Sequence, residues 1–153
     1  MKKVRGAIGS RLACFRLRVG RSSIQGSGVF ALERIPRGRR VIEYTGEKLN
    51  ERQAKLRLAK LSRPGGSGRN CIFYLGGGRY IDGAVGGSGA ELINHSCDPN
   101  LKSRKLRGHI LYYSRRDVKA GEELTVDYNF RRDAKKVPCQ CGAKKCRGFI
   151  NRK

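Results

Sequence analysis

The middle of the chain holds a run of seven residues that is dense in hydrogen-bonding and metal-binding side chains. The run is Asn94-His95-Ser96-Cys97-Asp98-Pro99-Asn100, directly behind the apolar pair Leu92-Ile93. Amides, an imidazole, a hydroxyl and a thiol are poor core formers, but they suit ligand contacts and metal coordination. Asn-rich and Asp-Pro runs also form ordinary surface turns. These residues alone leave both interpretations open.

A second chemical cluster lies near the C-terminus, where Cys139, Cys141 and Cys146 fall within eight residues. Structural zinc prefers four sulfur or imidazole ligands in a tetrahedron, so three local thiols require a fourth ligand from elsewhere. Cys97 is the best candidate because its surroundings are polar, and His95 and His109 are the other possible donors. The pattern predicts one structural Zn²⁺ that ties the tail to the central run. The competing interpretation is three unconnected surface thiols.

The basic residues beside these thiols fit the same prediction. Four thiolates around one Zn²⁺ carry about two net negative charges. Lys144, Lys145 and Arg147 would offset that charge and help to keep the thiols deprotonated. Cys14 and Cys71 stand apart in apolar surroundings and are predicted to be packing residues.

The N-terminus and the lack of a long apolar run predict an intracellular protein. The chain opens on the basic stretch 1–5, but arginines interrupt the apolar region that a signal peptide would need. No run approaches the roughly 18 apolar residues that cross a bilayer, so no membrane partner is expected. We therefore expect a protein that is not secreted, in the cytoplasm and nucleoid or in the nucleus on chromosomes. There, six cysteines favour metal ligation or core packing over disulfides.

The strongest compositional feature is charge. Lys and Arg number 35 against 12 Asp and Glu, which gives a formal net charge of +23 and a pI near 10.6. Such a field attracts polyanions, and nucleic acid or a nucleoprotein is the expected partner. The alternative is that these cations only keep the chain soluble. The composition says nothing about oligomeric state.

A length of 153 residues fits one domain, and its patterning is mainly β. Short apolar or alternating segments between glycine and proline turns predict seven or eight strands. The clearest of them are 15–19, 41–44, 72–75, 80–81, 110–113 and 124–128. Gly26-Ser27-Gly28 follows a strand and could let backbone N–H groups approach a ligand, although a hairpin turn is the favoured meaning.

One convincing helix is predicted from Asn50 to Leu61. Asn50 can cap it while Gln53 bonds back, and the spacing of Ala54, Leu58 and Leu61 predicts one core-facing side with a basic back. The stretch 63–68 should end the helix as a flexible loop.

Taken together, these motifs resemble the SET-domain protein lysine methyltransferases that carry a zinc-binding post-SET segment. Order and spacing agree from about residue 14 to residue 150, and only a short basic arm stands where many relatives have a cysteine-rich pre-SET region. The matching segments are Gly26-Ser27-Gly28-Val29-Phe30-Ala31, Tyr44-Thr45-Gly46-Glu47, the run 94–100, Gly121-Glu122-Glu123-Leu124-Thr125-Val126-Asp127-Tyr128, and Cys139-x-Cys141-x₄-Cys146-Arg147-Gly148.

The resemblance implies a fold and a division of the chain. The fold is one of several small β-sheets with a pseudoknot-like crossing, in which the Asn-His-Ser segment lies beside the strand that ends at the catalytic tyrosine. The chain would comprise a basic arm (1–13), a SET domain (14–130) with a helical and flexible insert (49–70), and a post-SET zinc-binding segment (131–153).

The resemblance also implies S-adenosyl-L-methionine-dependent methylation of a lysine ε-amine in a protein. Tyr128 resembles the catalytic tyrosine, and Tyr44 resembles the tyrosine that lines the lysine channel. The residues that resemble cofactor contacts are Gly26, Ser27, Gly28, Val29, Asn94, His95 and Tyr128.

Two departures from the family pattern bear on specificity. Val126 stands where Phe or Tyr is common, which leaves room for methylated amines and favours di- or trimethylation, unless Tyr112 or Tyr113 fills the space. Gly87-Ser88 and Glu91 replace the usual Gly-Asn and Arg upstream of Asn94.

The expected substrate is a histone, a histone-like protein or another nucleic-acid-associated protein such as a ribosomal protein. A highly basic tail is an awkward partner for this chain, unless nucleic acid bridges the two. The alternative function is a basic zinc-containing nucleic-acid-binding module with a vestigial SET pocket.

Overall fold

The computed structural model describes residue 8, residues 11–63 and residues 70–153. Most of the predicted basic arm, and the 64–68 part of the predicted loop after the helix, lie outside these residues. The described end of the arm is packed: the N–H of Ile8 donates to the Leu17 carbonyl at 3.0 Å, and Ala13 forms a bridge with Ile42.

The prediction of a mainly β fold with one main helix is confirmed. The described residues form ten strands, one α-helix and the 3-10 helix Ala90–Leu92. Their order is β1 (Leu17–Arg21), β2 (Ser27–Ala31), β3 (Arg40–Tyr44), β4 (Glu47–Asn50), α1 (Glu51–Leu61), β5 (Ile72–Gly76), β6 (Arg79–Asp82), β7 (Asn94–His95), β8 (Leu101–Leu106), β9 (His109–Ser114) and β10 (Glu123–Val126). The strand count exceeds the prediction because elements as short as β4 and β7 show no periodicity in a sequence.

These strands form two sheets. The larger has the order β1-β2-β10-β8-β9-β3, with β7 also paired to β10, and the smaller has the order β4-β6-β5. Strand β10 is antiparallel to β2 and parallel to both β7 and β8. In the β7 pair, Asn94 lies opposite Thr125 and His95 opposite Val126. The predicted placement of the Asn-His-Ser segment beside the strand leading to Tyr128 is therefore confirmed.

The core lies mainly within the larger sheet and consists of branched aliphatic residues. The largest fully buried apolar side chains are Leu17, Val29, Ile35, Val41, Ile42, Ile93, Leu101, Ile110, Val118 and Leu124. Of the two cysteines predicted to be packing residues, Cys71 is buried but Cys14 is exposed. The prediction for Cys14 is wrong because Ala13, its neighbour, takes the inward position opposite Ile42. Among the described residues, no helix has the length and apolarity that a membrane span requires.

The helix α1 begins as predicted but buries less than predicted. The Asn50 side chain accepts from the Gln53 N–H, and the Gln53 side chain accepts from the Asn50 N–H, both at 2.9 Å. Of the expected apolar face only Ala54 is buried, while Leu58 and Leu61 are half-buried.

An ion-pair network holds α1 to the smaller sheet instead of broad apolar contact. The Arg57 guanidinium pairs with Glu47 of β4 and with Asp82 of β6, each at 2.5 Å. Both strands that receive α1 belong to the smaller sheet, so the helix and this sheet form one unit.

The capping box makes the stability of this unit testable. Asn50→Ala removes an N-cap acceptor and is expected to lower the free energy of unfolding by about 1 kcal/mol. Asn50→Asp keeps the acceptor and should stay close to the wild type. Urea denaturation followed by circular dichroism compares the variants, and an Asn50→Ala midpoint equal to that of the wild type would contradict this role of the cap.

Candidate active site

The pairing of β7 with β10 brings Tyr128 to the central run. The Tyr128 hydroxyl donates to the Ile93 carbonyl at 2.8 Å, and the Tyr128 N–H donates to Nδ1 of His95 at 3.1 Å. Residues distant in the sequence thus hold this tyrosine at both its backbone and its phenol.

Beside Tyr128 lies a cavity of about 750 Å³ with an aromatic wall. The Tyr44 ring packs 5.4 Å from Phe73 and 6.2 Å from Tyr112, and the Tyr128 ring lies 5.7 Å from Phe130, measured between centroids. Three parts of the fold contribute lining residues: the smaller sheet with the segment before it, the larger sheet with the segment around the 3-10 helix, and the chain after β10. In that order they are Asn70, Cys71, Ile72, Phe73, Tyr74 and Tyr80; Tyr44, Ala90, Glu91, Ile93, Ser103, Lys105 and Tyr112; and Asp127, Tyr128, Asn129, Phe130, Arg131 and Arg152.

Two phenols in this wall are buried and neutral. Burial is the main cause that raises the pKa of both Tyr44 and Tyr112 above the ordinary value. The Tyr44 hydroxyl donates to the Cys71 carbonyl at 2.5 Å, which fixes its ring. Tyr113 lies on the opposite face of β9 and stacks under Arg104 at 5.3 Å. Of the two tyrosines considered as space-fillers, the cavity therefore receives Tyr112.

The opposite side of β7 carries the predicted cofactor residues. Ile93 faces the cavity, whereas the next residue, Asn94, points its amide toward the turn before β2. Its Nδ2 donates to Ser22 Oγ and to the Ser27 carbonyl, each at 3.0 Å, and to Glu123 Oε1 at 2.8 Å. One buried amide thus forms hydrogen bonds to the turn before β2, to β2 and to β10.

The glycine segment lies against the same carboxylate. A Cβ on Gly28 would lie 2.2 Å from Glu123 Oε1, so only glycine fits there without moving that side chain. Gly26 has a φ of +50°, a conformation that side chains disfavour. The structure therefore brings Gly26, Ser27 and Gly28 together with Asn94, and buries Val29 opposite Leu124.

Ser22 and Glu123 were not predicted from the sequence, although both contact the Asn94 amide. Together with Gly26, Ser27, Gly28 and Asn94 they form what we call the Asn94-centred corner. The Ser22 hydroxyl donates to Glu123 Oε1 at 2.7 Å, and both contact the Asn94 amide. Glu123 belongs to a matching segment of the resemblance, but an acidic residue in a β-rich run suggests only a solvated side chain. Ser22 carries no pattern that would have identified it.

His95 is a buried link between Tyr128 and the thiols. Its Nδ1 accepts the Tyr128 N–H, so the ring proton is on Nε2, which lies 3.5 Å from Cys97 Sγ. Burial is the largest influence and lowers the pKa of His95, although the Asp127 carboxylate acts in the opposite direction. The imidazole is therefore neutral, with both nitrogens engaged by protein groups.

The four predicted zinc ligands converge. The sulfurs of Cys97, Cys139, Cys141 and Cys146 all lie within 4.8 Å of one another. Cys97 Sγ is 3.7 Å from that of Cys139 and 3.9 Å from that of Cys146. A tetrahedral site with Zn–S bonds of about 2.3 Å places sulfurs about 3.8 Å apart, so the cluster is compatible with one Zn²⁺. His109, the other distant donor considered, pairs with Glu43 instead.

Backbone N–H groups surround these sulfurs. Cys97 donates to Cys141 Sγ at 3.5 Å, Arg147 to Cys97 Sγ at 3.4 Å and Gly148 to Cys146 Sγ at 3.4 Å. Burial raises the pKa of Cys97 and Cys139, whereas at Cys141 the N–H groups of Cys97 and Ala143 outweigh burial and lower the pKa. Donors aimed at sulfur stabilise thiolates, which is the state that metal ligation needs.

Arg147, expected to offset thiolate charge, also has a second role. Its guanidinium donates two hydrogen bonds to the Asp127 carboxylate, at 2.6 and 3.1 Å, and a third to the Ile150 carbonyl at 2.8 Å. Burial alone would raise the pKa of Asp127, but Arg147 holds it below the ordinary value. The tail is thus joined to the residue directly before Tyr128.

A buried asparagine shapes the rest of the tail. The Asn151 side chain accepts from the Val137 N–H at 3.0 Å and donates to the Arg131 carbonyl at 2.9 Å. These two bonds hold both ends of the segment 131–137 in place beside the cavity. Asn151 had no distinguishing sequence context and was not predicted.

Comparisons with known proteins agree with this geometry. The SET domain family matches residues 26–129. Over 140 residues the chain is 41% identical to "Histone-lysine N-methyltransferase, H3 lysine-4 specific" of Schizosaccharomyces pombe, with 89% of this chain and 15% of that protein covered. Over 140 residues it is 39% identical to "Histone-lysine N-methyltransferase TRX1" of Oryza sativa subsp. japonica, with 89% and 14% covered.

A solved structure shows the same fold. The crystal structure of KRYPTONITE in complex with mCHG DNA and SAH superposes with a TM-score of 0.74 at 28% identity, covering 90% of this chain and 29% of that one. The chain thus spans only a small part of the relatives that it matches, 15% of the fission-yeast protein. Because the match includes the β7–β10 pair and Tyr128, and covers more than half of the residues, the chain belongs to the SET domain family.

Proposed function

We propose that this chain is an S-adenosyl-L-methionine-dependent protein-lysine N-methyltransferase. The observation that carries the proposal is the two-sided arrangement around β7. An aromatic cavity with Tyr44 and Tyr128 lies on one side, and the Asn94-centred corner with Gly26, Ser27 and Gly28 lies on the other. The names of the relatives and the SAH in the superposed structure support the same activity.

The corner fits the proposed cofactor chemically. Glycines leave backbone N–H and carbonyl groups accessible, and amide, hydroxyl and carboxylate groups can meet an amino acid's ammonium and carboxylate. S-adenosyl-L-methionine would supply the methyl group as an electrophile. Gly26, Ser27, Gly28, Val29, Asn94, His95 and Tyr128 remain the proposed contact residues. His95 has both ring nitrogens engaged by protein groups, so we expect it to contribute through its backbone.

The task left to the protein is to present a neutral amine. A free lysine amine has a pKa near 10.4, so only about one in 2,500 is uncharged at neutral pH. An aromatic channel disfavours the ammonium by desolvation, and a nearby positive charge does so again. The proton would pass to water, the new N–C bond would form as the S–C bond breaks, and no histidine base is needed.

Tyr128 and Tyr44 would orient the amine. Both hydroxyls donate to backbone carbonyls, Tyr128 to Ile93 and Tyr44 to Cys71, which fixes the positions of both phenol oxygens. Phenol oxygens fixed in this way can hold an amine in line for transfer at little reorganisation cost. Tyr112 is in the described lining of the cavity and Val126 is not, so we expect Tyr112 to set how many methyl groups fit.

We further propose one structural Zn²⁺ on Cys97, Cys139, Cys141 and Cys146, within a post-SET segment of residues 131–153 that follows a SET domain of residues 14–130. The ion would pin the tail, which contributes Arg152 to the cavity, against the central run.

The proposed substrate is a histone, a histone-like protein or another nucleic-acid-associated protein, reached on chromosomes. The relatives' names support the histone class. The charge of +23 supports a role for nucleic acid in bringing enzyme and basic substrate together.

The second candidate activity is nucleic-acid binding, and a cationic face of the larger sheet favours it. Arg40 and Lys102 both lie opposite Tyr113 in register, and Arg104 stacks on the Tyr113 ring. Strands about 4.8 Å apart place these cations within roughly 10 Å of one another. Glu43, on the same face, is already engaged by His109 at 2.6 Å and by Arg40 at 3.4 Å. We propose that nucleic-acid phosphates bind this face.

The catalytic proposal predicts the effect of one oxygen atom. Tyr128→Phe should lower kcat on a lysine substrate by about 100-fold or more, because the phenol orients the amine. S-adenosyl-L-methionine binding, measured by calorimetry, should fall far less than kcat, and stability should fall by about 1 kcal/mol through loss of the hydrogen bond to Ile93. Tyr113→Phe, on the opposite face, is the matched control. Wild-type turnover by Tyr128→Phe would contradict the assignment.

The metal proposal predicts one zinc per chain. Mass spectrometry of the native protein should find one Zn²⁺, Cys141→Ser should lose it, and the exposed Cys14→Ser should retain it. Limited proteolysis of Cys141→Ser should cut residues 131–153 first, because the ion no longer pins them. Full zinc content in Cys141→Ser would contradict a four-thiolate site.

The nucleic-acid proposal is tested with charge-matched variants. Lys102→Glu/Arg104→Glu should weaken binding of a fluorescent duplex by about tenfold or more in an anisotropy titration. Arg52→Glu/Lys60→Glu, on the exposed back of α1, changes net charge equally and should weaken it far less. Equal losses would mean that only the overall charge of the chain attracts the duplex.

A further inference from the structure

Three cations and two carboxylates line the cavity. The cations are Lys105, Arg131 and Arg152, and the carboxylates are Glu91 and Asp127. Asp127 is paired with Arg147, which offsets its charge. Glu91 accepts the Gly89 N–H at 2.8 Å and keeps its negative charge, because a backbone N–H carries no net charge.

Two of the three cations are not paired with a carboxylate of the described residues. Among the residues that the structure describes, Lys105 and Arg152 form no ion pair, whereas Arg131 pairs with Asp133 at 2.6 Å. Together with the carboxylate of Glu91, these two cations leave a net positive charge for a peptide that enters the cavity.

Lys105 is the best placed of these cations. It lies on the cavity-facing side of β8, in register with Ile110, and Ser103 on the same side lies opposite Tyr112. Its Nζ stands 5.0 Å from the Tyr74 ring centroid and 5.8 Å from that of Phe73. Two aromatic rings thus keep the ammonium beside the wall that holds Tyr44.

Resting on the proposed methyltransferase function, we propose that this cavity selects target lysines that have an acidic residue close by in the peptide, and that Lys105 determines this selectivity. An acidic side chain beside the target lysine would gain a charge-assisted contact with the exposed ammonium of Lys105. An arginine at the same position would meet like charge. The same positive field would also favour the neutral form of the target amine.

The selectivity bears on the substrate class. Within a histone-like or other nucleic-acid-associated protein, the sites chosen would be lysines in mixed or acidic sequence and not those in long basic runs. Basic segments of the same substrate would stay outside the cavity.

The test uses the zinc-loaded full chain without nucleic acid and three matched sets of short peptides. Each peptide has one central lysine, with Glu, Gln or Arg at a single position within three residues of it. We expect kcat/KM to be about fivefold higher for the best Glu peptide than for its Gln counterpart, and lowest for Arg. A preference for Arg over Glu would overturn the proposal.

Charge variants at the cavity and away from it complete the test. Lys105→Glu should reverse the order of the peptides, and Lys105→Met, which keeps an unbranched stem, should flatten it. Arg52→Glu makes the same change in net charge on the exposed back of α1 and should leave the order intact. An unchanged order in Lys105→Glu would refute the role of Lys105 while leaving the methyltransferase itself standing. Failure of the wild type to methylate any peptide would refute the proposed function and this selectivity with it.

Discussion

The parallel pairing of a two-residue strand with β10 is the constraint on which the site depends. Two residues of ladder contribute little on their own, and the pair persists because its surroundings fix it. Ile93 packs into the core on one side of the segment, and the Asn94 amide gathers three other elements on the other. The Asn100 side chain adds a third hold, since it accepts the Thr125 N–H at 2.8 Å and donates to the Glu123 carbonyl at 2.8 Å.

The chain after β10 is held by polar contacts and not by apolar burial. The ion pair between Arg147 and Asp127 is partly buried, and Nε of Arg147 is a buried atom with no hydrogen-bond partner among the described residues. Such a pair adds little net stability but is costly to break, because a lone charge would remain. It therefore determines where the tail lies more than how stable the domain is. The thiol cluster holds the same part of the tail. The position of Tyr128 is therefore fixed by the Arg147–Asp127 pair and by His95, which contacts both Tyr128 and Cys97.

Much of this arrangement could be predicted from the sequence, and the reasons differ by feature. The thiols were predictable because zinc imposes ligand type and number, so three local cysteines implied a distant fourth. The capping box of α1 was predictable because it is a local pattern. Tyr128 and Asn94 required the family resemblance, since neither residue type nor spacing reveals a parallel pairing across the chain.

Other features depend on three-dimensional neighbours and had no local pattern. The exposure of Cys14 follows from the isolated bridge at Ala13, and the burial of α1 was overestimated because Arg57 provides an ion pair where apolar contact was expected. Ser22 and Asn151 act through hydrogen bonds to residues distant in the sequence. Single polar residues of this kind look the same in a sequence whether they are solvated or central.

The aromatic cavity has walls from three parts of the fold, and this construction affects how the proposed polypeptide substrate would enter. The smaller sheet shares one buried core with the larger sheet through Ile81, and the tail is held by the pair of Arg147 with Asp127. A target side chain would therefore enter between walls that are already packed. A long polypeptide could lie across the opening and present one side chain, so it need not thread an end through the protein.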